Sequence, residues 1–140
     1  DDEAPLIIEP KAEETVYRIL CYENDQTLQN LIKKALAPLN IDVVITASLV
    51  DMMEWFKISQ VGGNSFSAIM MDLSVHNNEY INTIVTELRA ISSTVKIVLA
   101  GDMITKSSSS DYSKQGIDVV VSKPFHISEL RSTFKSMINS

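Results

Sequence analysis

Three side chains able to do chemistry stand where apolar runs end. Asp72 closes Ser67-Ala68-Ile69-Met70-Met71. Glu23 follows Tyr17–Tyr22 and is succeeded by Asn24 and Asp25. Lys123 comes two residues after Ile117–Val121, past Ser122, and precedes Pro124-Phe125. A short apolar run without alternation suits a parallel strand buried on both faces. A carboxylate at its end then sits on the carboxyl edge of the sheet, where open α/β folds bind ligands. In a sheet ordered 2-1-3-4-5, strand one lies beside strand three, so Glu23 and Asp72 meet as an acidic pocket. Lys123 reaches them from the far side, across strand four. The same residues would also make a plain ion pair at a strand end, and residue types alone leave both readings open.

The elements that must hold these residues are legible in the periodicities. Tyr17–Tyr22 is the first strand. Asp25 is a suitable N-cap for a helix carrying Leu28, Leu31, Ile32, Ala35, Leu36 and Leu39 at helical spacing, with Pro38 and Asn40 marking its stop. Ile41–Thr46 is a second, β-branched strand. Ser48 caps a helix expected to run to about Ser59, with Leu49, Met52, Met53 and Phe56 inward and Trp55 beside that face. Gly62-Gly63-Asn64-Ser65 reads as a loop without the spacing of a phosphate-binding glycine loop. After Asp72, Leu73–Asn78 is a polar loop, and its His76 reads as a solvated side chain. A helix over about Glu79–Ile91 and a strand over Val95–Ala100 follow. Ser107–Ser110 weaken any helix near them, and a short helical piece at Tyr112–Gln115 ends at Gly116. Ile117–Val121 is the fifth strand, and an amphipathic helix covers about Ser128–Ile138. Five strands alternating with helices imply a parallel sheet covered on both faces.

Length and composition set the outer bounds. The 140 residues suit one domain, and 45% hydrophobic with 21% charged residues is ordinary for a globular chain. Asp1–Glu14, acidic and holding two prolines around Leu6-Ile7-Ile8, reads as a tail or linker ahead of the domain. The alternative is an extended segment that packs those three apolar residues on a neighbour. A net charge of -6 argues against nucleic acid. No apolar run approaches the roughly 20 residues that span a bilayer, so direct membrane contact is not expected. The single cysteine, Cys21, lies in an apolar run and reads as a small buried hydrophobe in a reducing compartment.

From about Tyr17 to Ser140 the chain resembles the receiver domain of two-component signalling. The matching pieces are Ile19-Leu20-Cys21-Tyr22-Glu23-Asn24-Asp25, Met70-Met71-Asp72 and Val121-Ser122-Lys123-Pro124-Phe125. The resemblance implies a flavodoxin-like (βα)5 doubly wound sheet over residues 16–140. It implies that Asp72 is a phospho-acceptor, taking a phosphoryl group from a phosphohistidine. Lys123 would pair with Asp72 at rest and with a phosphoryl oxygen afterwards, its proline bond commonly being cis. Mg²⁺ would be held by Glu23, Asp72 and either Asn24 or Asp25. The implied partners are a histidine kinase or a histidine phosphotransfer domain. The implied setting is the cytoplasm, as a regulator or as the cytosolic receiver module of a hybrid sensor kinase.

Four positions depart from that pattern. The second acid after strand one is Asn24, which removes a charge from the metal site. Strand four ends in Ala100 rather than a hydroxyl residue. Val120 stands where an aromatic switch residue is usual. The loop after Asp72 lacks its usual Pro and Gly. Without the hydroxyl and the ring, phosphorylation has little leverage on the conformational equilibrium. The expectation is therefore a receiver-like docking or regulatory module with weak or absent Mg²⁺ binding. An active phospho-acceptor is the first alternative. An unrelated flavodoxin-like cofactor binder is the second, disfavoured because Glu23-Asn24-Asp25 would repel phosphate.

Overall fold

The computed structural model describes residues 17–72, 78–101 and 112–139. Expectations for the tail at 1–14, for His76 in the loop 73–77, and for the serines within 102–111 lie outside the described residues. The strands are β1 (Arg18–Tyr22), β2 (Asp42–Thr46), β3 (Ala68–Asp72), β4 (Lys96–Gly101) and β5 (Val119–Ser122). The helices are α1 (Gln26–Leu36), α2 (Leu49–Gly62), α3 (Asn78–Ile91) and α4 (Ile127–Ile138), with a further helical turn at 112–114. All strand pairs are parallel, in the order β2-β1-β3-β4-β5.

Each strand sends alternate residues to opposite faces of the sheet, and both faces are covered. Leu20, Ile69, Met71, Ile97 and Leu99 pack with Met52 and Phe56 of α2 and Ile84, Val85 and Leu88 of α3. Ile19, Cys21, Ala68, Met70 and Val98 pack with Ile32, Ala35 and Leu36 of α1 and Leu130 and Phe134 of α4. This is why the middle strands show unbroken apolar runs. With helices on both sides, no strand face of β3 is left to be polar.

Local signals begin the helices. Asp25 accepts a hydrogen bond from the Leu28 N–H at 3.0 Å, and Ser48 accepts from the Asp51 N–H at 3.1 Å. A 3-10 turn at Ala37–Leu39 ends at Asn40, whose φ of 56° is left-handed. The second helix corrects the expected stop at Ser59. That serine is buried, its hydroxyl donates to the Phe56 carbonyl at 2.8 Å, and the helix runs on to Gly62. Termination falls to Gly63, at φ +78°, a conformation that costs glycine little.

One clamp was not anticipated. Arg89 at the end of α3 donates to the Val95 and Gly116 carbonyls, both at 2.7 Å, and to the Asp118 carboxylate at 2.9 Å. Asp118 in turn accepts from the Ile97 N–H at 2.9 Å. One guanidinium thus fixes where β4 and β5 begin, and through them the height at which Lys123 leaves the sheet.

Candidate functional site

The strand order puts the ends of β1 and β3 side by side, with Tyr22 opposite Met71, at the point where chain connections diverge to either side of the sheet. Glu23 is the next residue after β1, and several contacts fix it. Its N–H donates to the Thr46 carbonyl at 3.0 Å, extending the β1–β2 ladder by one bond. Its carbonyl accepts from the Gln29 side-chain amide at 2.6 Å, which ties it to α1. One carboxylate oxygen, Oε2, accepts from the Asp25 N–H at 3.2 Å. The other, Oε1, is buried without a hydrogen-bond partner.

Lys123 comes from the opposite side. Its N–H donates to the Gly101 carbonyl at 3.0 Å, continuing the β4–β5 ladder past Ser122. The Lys123–Pro124 peptide is cis, the isomer that the receiver resemblance implied. The ammonium forms an ion pair with Oδ2 of Asp72 and lies 3.6 Å from Oε1 of Glu23. The Phe125 ring sits beside it, 5.6 Å from ammonium to ring centre. Side-chain exposure falls from 13% at Lys123 and 12% at Asp72 to 1% at Glu23, so the cluster is a narrow mouth over a buried acid.

The electrostatics follow from that gradient. Glu23 is pushed up to about 7, first by burial and then by the negative charge of Asp72, with which it also shares a hydrogen bond. The Asp25 N–H and the Lys123 charge pull the other way. The Tyr22 hydroxyl is also raised, by burial and then by Asp72, Tyr80 and Glu23. The Cys21 thiol is pushed up to about 12 by full burial, with Glu23 adding to it.

The structure therefore brings together Glu23, Asp72 and Lys123. Asn24 is exposed, and the Asp25 carboxylate is used in capping α1. Among the described residues there is no cluster of three or more His, Cys, Asp or Glu side chains suited to a metal. Two adjacent carboxylates, one with a buried oxygen that makes no hydrogen bond and has the Lys123 ammonium 3.6 Å away, still fit a hard cation. Mg²⁺ is often held by only one or two carboxylates, completed by water and phosphate. Ala100 lies directly across the ladder from Asp72, buried and without a hydroxyl. Val120 lies across from Leu99 and packs on the α2–α3 side of the sheet. Gln29 and Thr46, which hold Glu23, escaped the reading of the sequence. A polar residue on a helix or at a strand end carries no mark that it will bond a particular backbone group.

No family model matches the chain, and no curated protein matches it in sequence. Solved structures do match. A response regulator from Thermotoga maritima superposes with a TM-score of 0.77 at 15% identity, over 90% of this chain and 100% of that one. This chain has the receiver-domain fold. An orphan response regulator of H. pylori gives a TM-score of 0.69 at 19% identity, over 86% of this chain and 94% of that one. An atypical orphan response regulator, described as having a phosphorylation-independent regulatory mechanism, gives 0.71 at 20% identity, over 87% and 95%. In receiver terms, the Asp72 cluster occupies the carboxyl rim of the sheet, beside the switch point. Among the described residues, no helix of this receiver fold is long and apolar enough to cross a membrane.

Proposed function

We propose that the chain is a divergent receiver domain of a phosphorelay that acts mainly as a docking and regulatory module. In this reading Asp72 is the phospho-acceptor position. The observation that carries it is the Asp72–Lys123 ion pair beside buried Glu23, facing Ala100 across the ladder. The acceptor carboxylate and its cation are present. The side chain that would grip a new phosphoryl group is a methyl.

The chemistry available to the chain is limited and specific. The Asp72 carboxylate is the nucleophile toward a phosphorus already activated as phosphohistidine. Lys123, released from that carboxylate as it reacts, is placed to neutralise charge on the transferred group. Glu23 and Asp72 would hold Mg²⁺, which when bound offsets charge developing on the phosphoryl oxygens. With Asp25 committed to its helix and Asn24 uncharged, that binding is weak. Past this point the relay has no lever. Ala100 offers no donor and Val120 has no ring to turn inward, so acceptor and docking surfaces are uncoupled. The partner class is a histidine kinase or a histidine phosphotransfer domain, and the setting is cytosolic, either as a regulator or within a hybrid sensor kinase. Retention of the Asp72–Lys123 pair favours a second reading, an acceptor that is still phosphorylated.

Mg²⁺ and beryllofluoride titrated into the protein, followed by backbone amide shifts, separate the two readings. The docking reading expects no response at millimolar Mg²⁺, or shifts confined to the neighbourhood of Asp72. Shifts that spread through Ala100 to Val120 would overturn it in favour of a working switch.

A further inference from the structure

Among the described residues, four of the five large exposed hydrophobic side chains lie on α2: Val50, Trp55, Ile58 and Val61, at 72%, 48%, 67% and 90% exposed. Met52, Met53 and Phe56 on its other side are buried against the sheet. Solvated helices place polar residues outward, so an outer face of this composition marks an interaction surface. The order of residues along that face says which kind. Val50, Glu54, Lys57 and Val61 are all exposed and recur at spacings of four, three and four, the spacing of a coiled-coil seam. The seam is apolar at both ends and carries one acid and one base in its middle. Among the described residues, neither Glu54 nor Lys57 has an ion-pair partner within the chain.

We infer that α2 pairs antiparallel with α2 of a second copy of this chain, about a two-fold axis. With the axis between Trp55 and Phe56, Val50 faces the partner's Val61, and Val61 faces the partner's Val50. Glu54 then faces the partner's Lys57, and Lys57 the partner's Glu54. One face thus complements itself in shape and in charge, which an isologous interface requires and a foreign partner would not. A two-fold also brings like flank to like flank, so Trp55 and Ile58 of both copies line one side of the seam and shield its ion pairs from water. A parallel pair would set Glu54 against Glu54 and Lys57 against Lys57, with like ends of the helix dipoles together. Charges inside a seam cost stability, but they fix its register and direction. Size sets the strength. The 14 residues of α2 are about 21 Å long, so one helix seam buries less than the ~800 Å² per partner of a standard interface. The dimer is therefore weak and reversible, with a Kd on the order of 10–100 μM.

Sedimentation equilibrium of the 140-residue chain from about 5 μM to about 500 μM should pass from monomer to dimer. Glu54→Lys and Lys57→Glu each put like charges at both central pairs and should each weaken association by about tenfold. Both positions are exposed, so far-UV dichroism of each variant should match the parent. Glu54→Lys combined with Lys57→Glu in one chain restores opposite charges across the seam, as does an equimolar mixture of the two single variants. Both samples should recover the parent's association. In a parallel pair neither single substitution changes the sign of a facing pair, so loss followed by recovery belongs to the antiparallel register. A parent that stays monomeric at about 500 μM overturns the inference. So does association that Glu54→Lys leaves unchanged, or that the mixture fails to recover. None of these substitutions touches Asp72, so failure here and failure of the phosphorelay reading are distinguishable.

Discussion

Glu23 shows how one residue links the site to stability. Its carboxyl titrates near 7 in the folded chain against an ordinary 4.5, so the folded state holds this proton more tightly than the unfolded state does. Where the folded state binds more protons, stability falls as pH rises. The loss begins near pH 4.5 and is complete above pH 7. Glu23→Gln removes the titration and the repulsion from Asp72. It should stabilise the protein by about 1–3 kcal/mol at pH 8 and by little at pH 4.5, read from Tm across that range. Such a gain would mean that the buried acid is kept for its chemistry at the expense of stability. Cys21 makes the opposite case. Fully buried, and with its thiol near 12, it should react with a disulfide reagent only as fast as the fold opens. A thiol that reacts at once in native buffer would contradict this.

At the scale of elements, the helix starts decide where the chemistry can stand. The Asp25 carboxylate satisfies the Leu28 N–H, and the Asp25 N–H satisfies a Glu23 oxygen, so one residue both starts α1 and aims the buried acid. Asp25→Ala should cost about 1 kcal/mol in chemical denaturation, as loss of a cap does. Because the Asp25 N–H remains, the pH profile set by Glu23 should keep its shape. If that profile instead moves by a full pH unit, the Asp25 side chain is acting on the site and not only on the helix. At the other end of the molecule, Arg131 of α4 donates to the Ala35 and Lys34 carbonyls at the end of α1, joining the two helices under the site. Those carbonyls lack intrahelical partners, and a guanidinium there also suits the negative end of the helix dipole.

At the scale of the whole molecule, the sheet is one body with a site on its rim and two separate cores beneath. In the proposed reading, a phosphoryl signal would have to cross from β3 to β4 and β5 to reach the far helices, with Ala100 as the first step of that crossing. Restoring the hydroxyl should restore part of the path. With Mg²⁺ and beryllofluoride, Ala100→Thr should show amide shifts running along β4 and into β5, where the parent's stay near Asp72. The position is buried, so the larger side chain should also cost about 1–3 kcal/mol of stability. If both proteins give the same local pattern, the Ala100 side chain is not what keeps the response local.

The sequence by itself determined the strands, the helix caps and which residues fall at strand ends, because these depend on periodicity and on side chains bonding their own neighbourhood. From those, a sheet ordered 2-1-3-4-5 and the meeting of Glu23, Asp72 and Lys123 could be read. The true end of α2 was not legible, since a buried serine bonding back into its own helix looks like a stop until its burial is known. Equally hidden were the Gln29 and Thr46 contacts to Glu23, the Arg89 clamp, and the burial that raises Glu23 while leaving Asp72 and Lys123 near the surface. Those depend on which groups are left facing each other after every element has packed. Only the tertiary structure decides that, because hydrogen bonding and desolvation depend on position in space and not on distance along the chain.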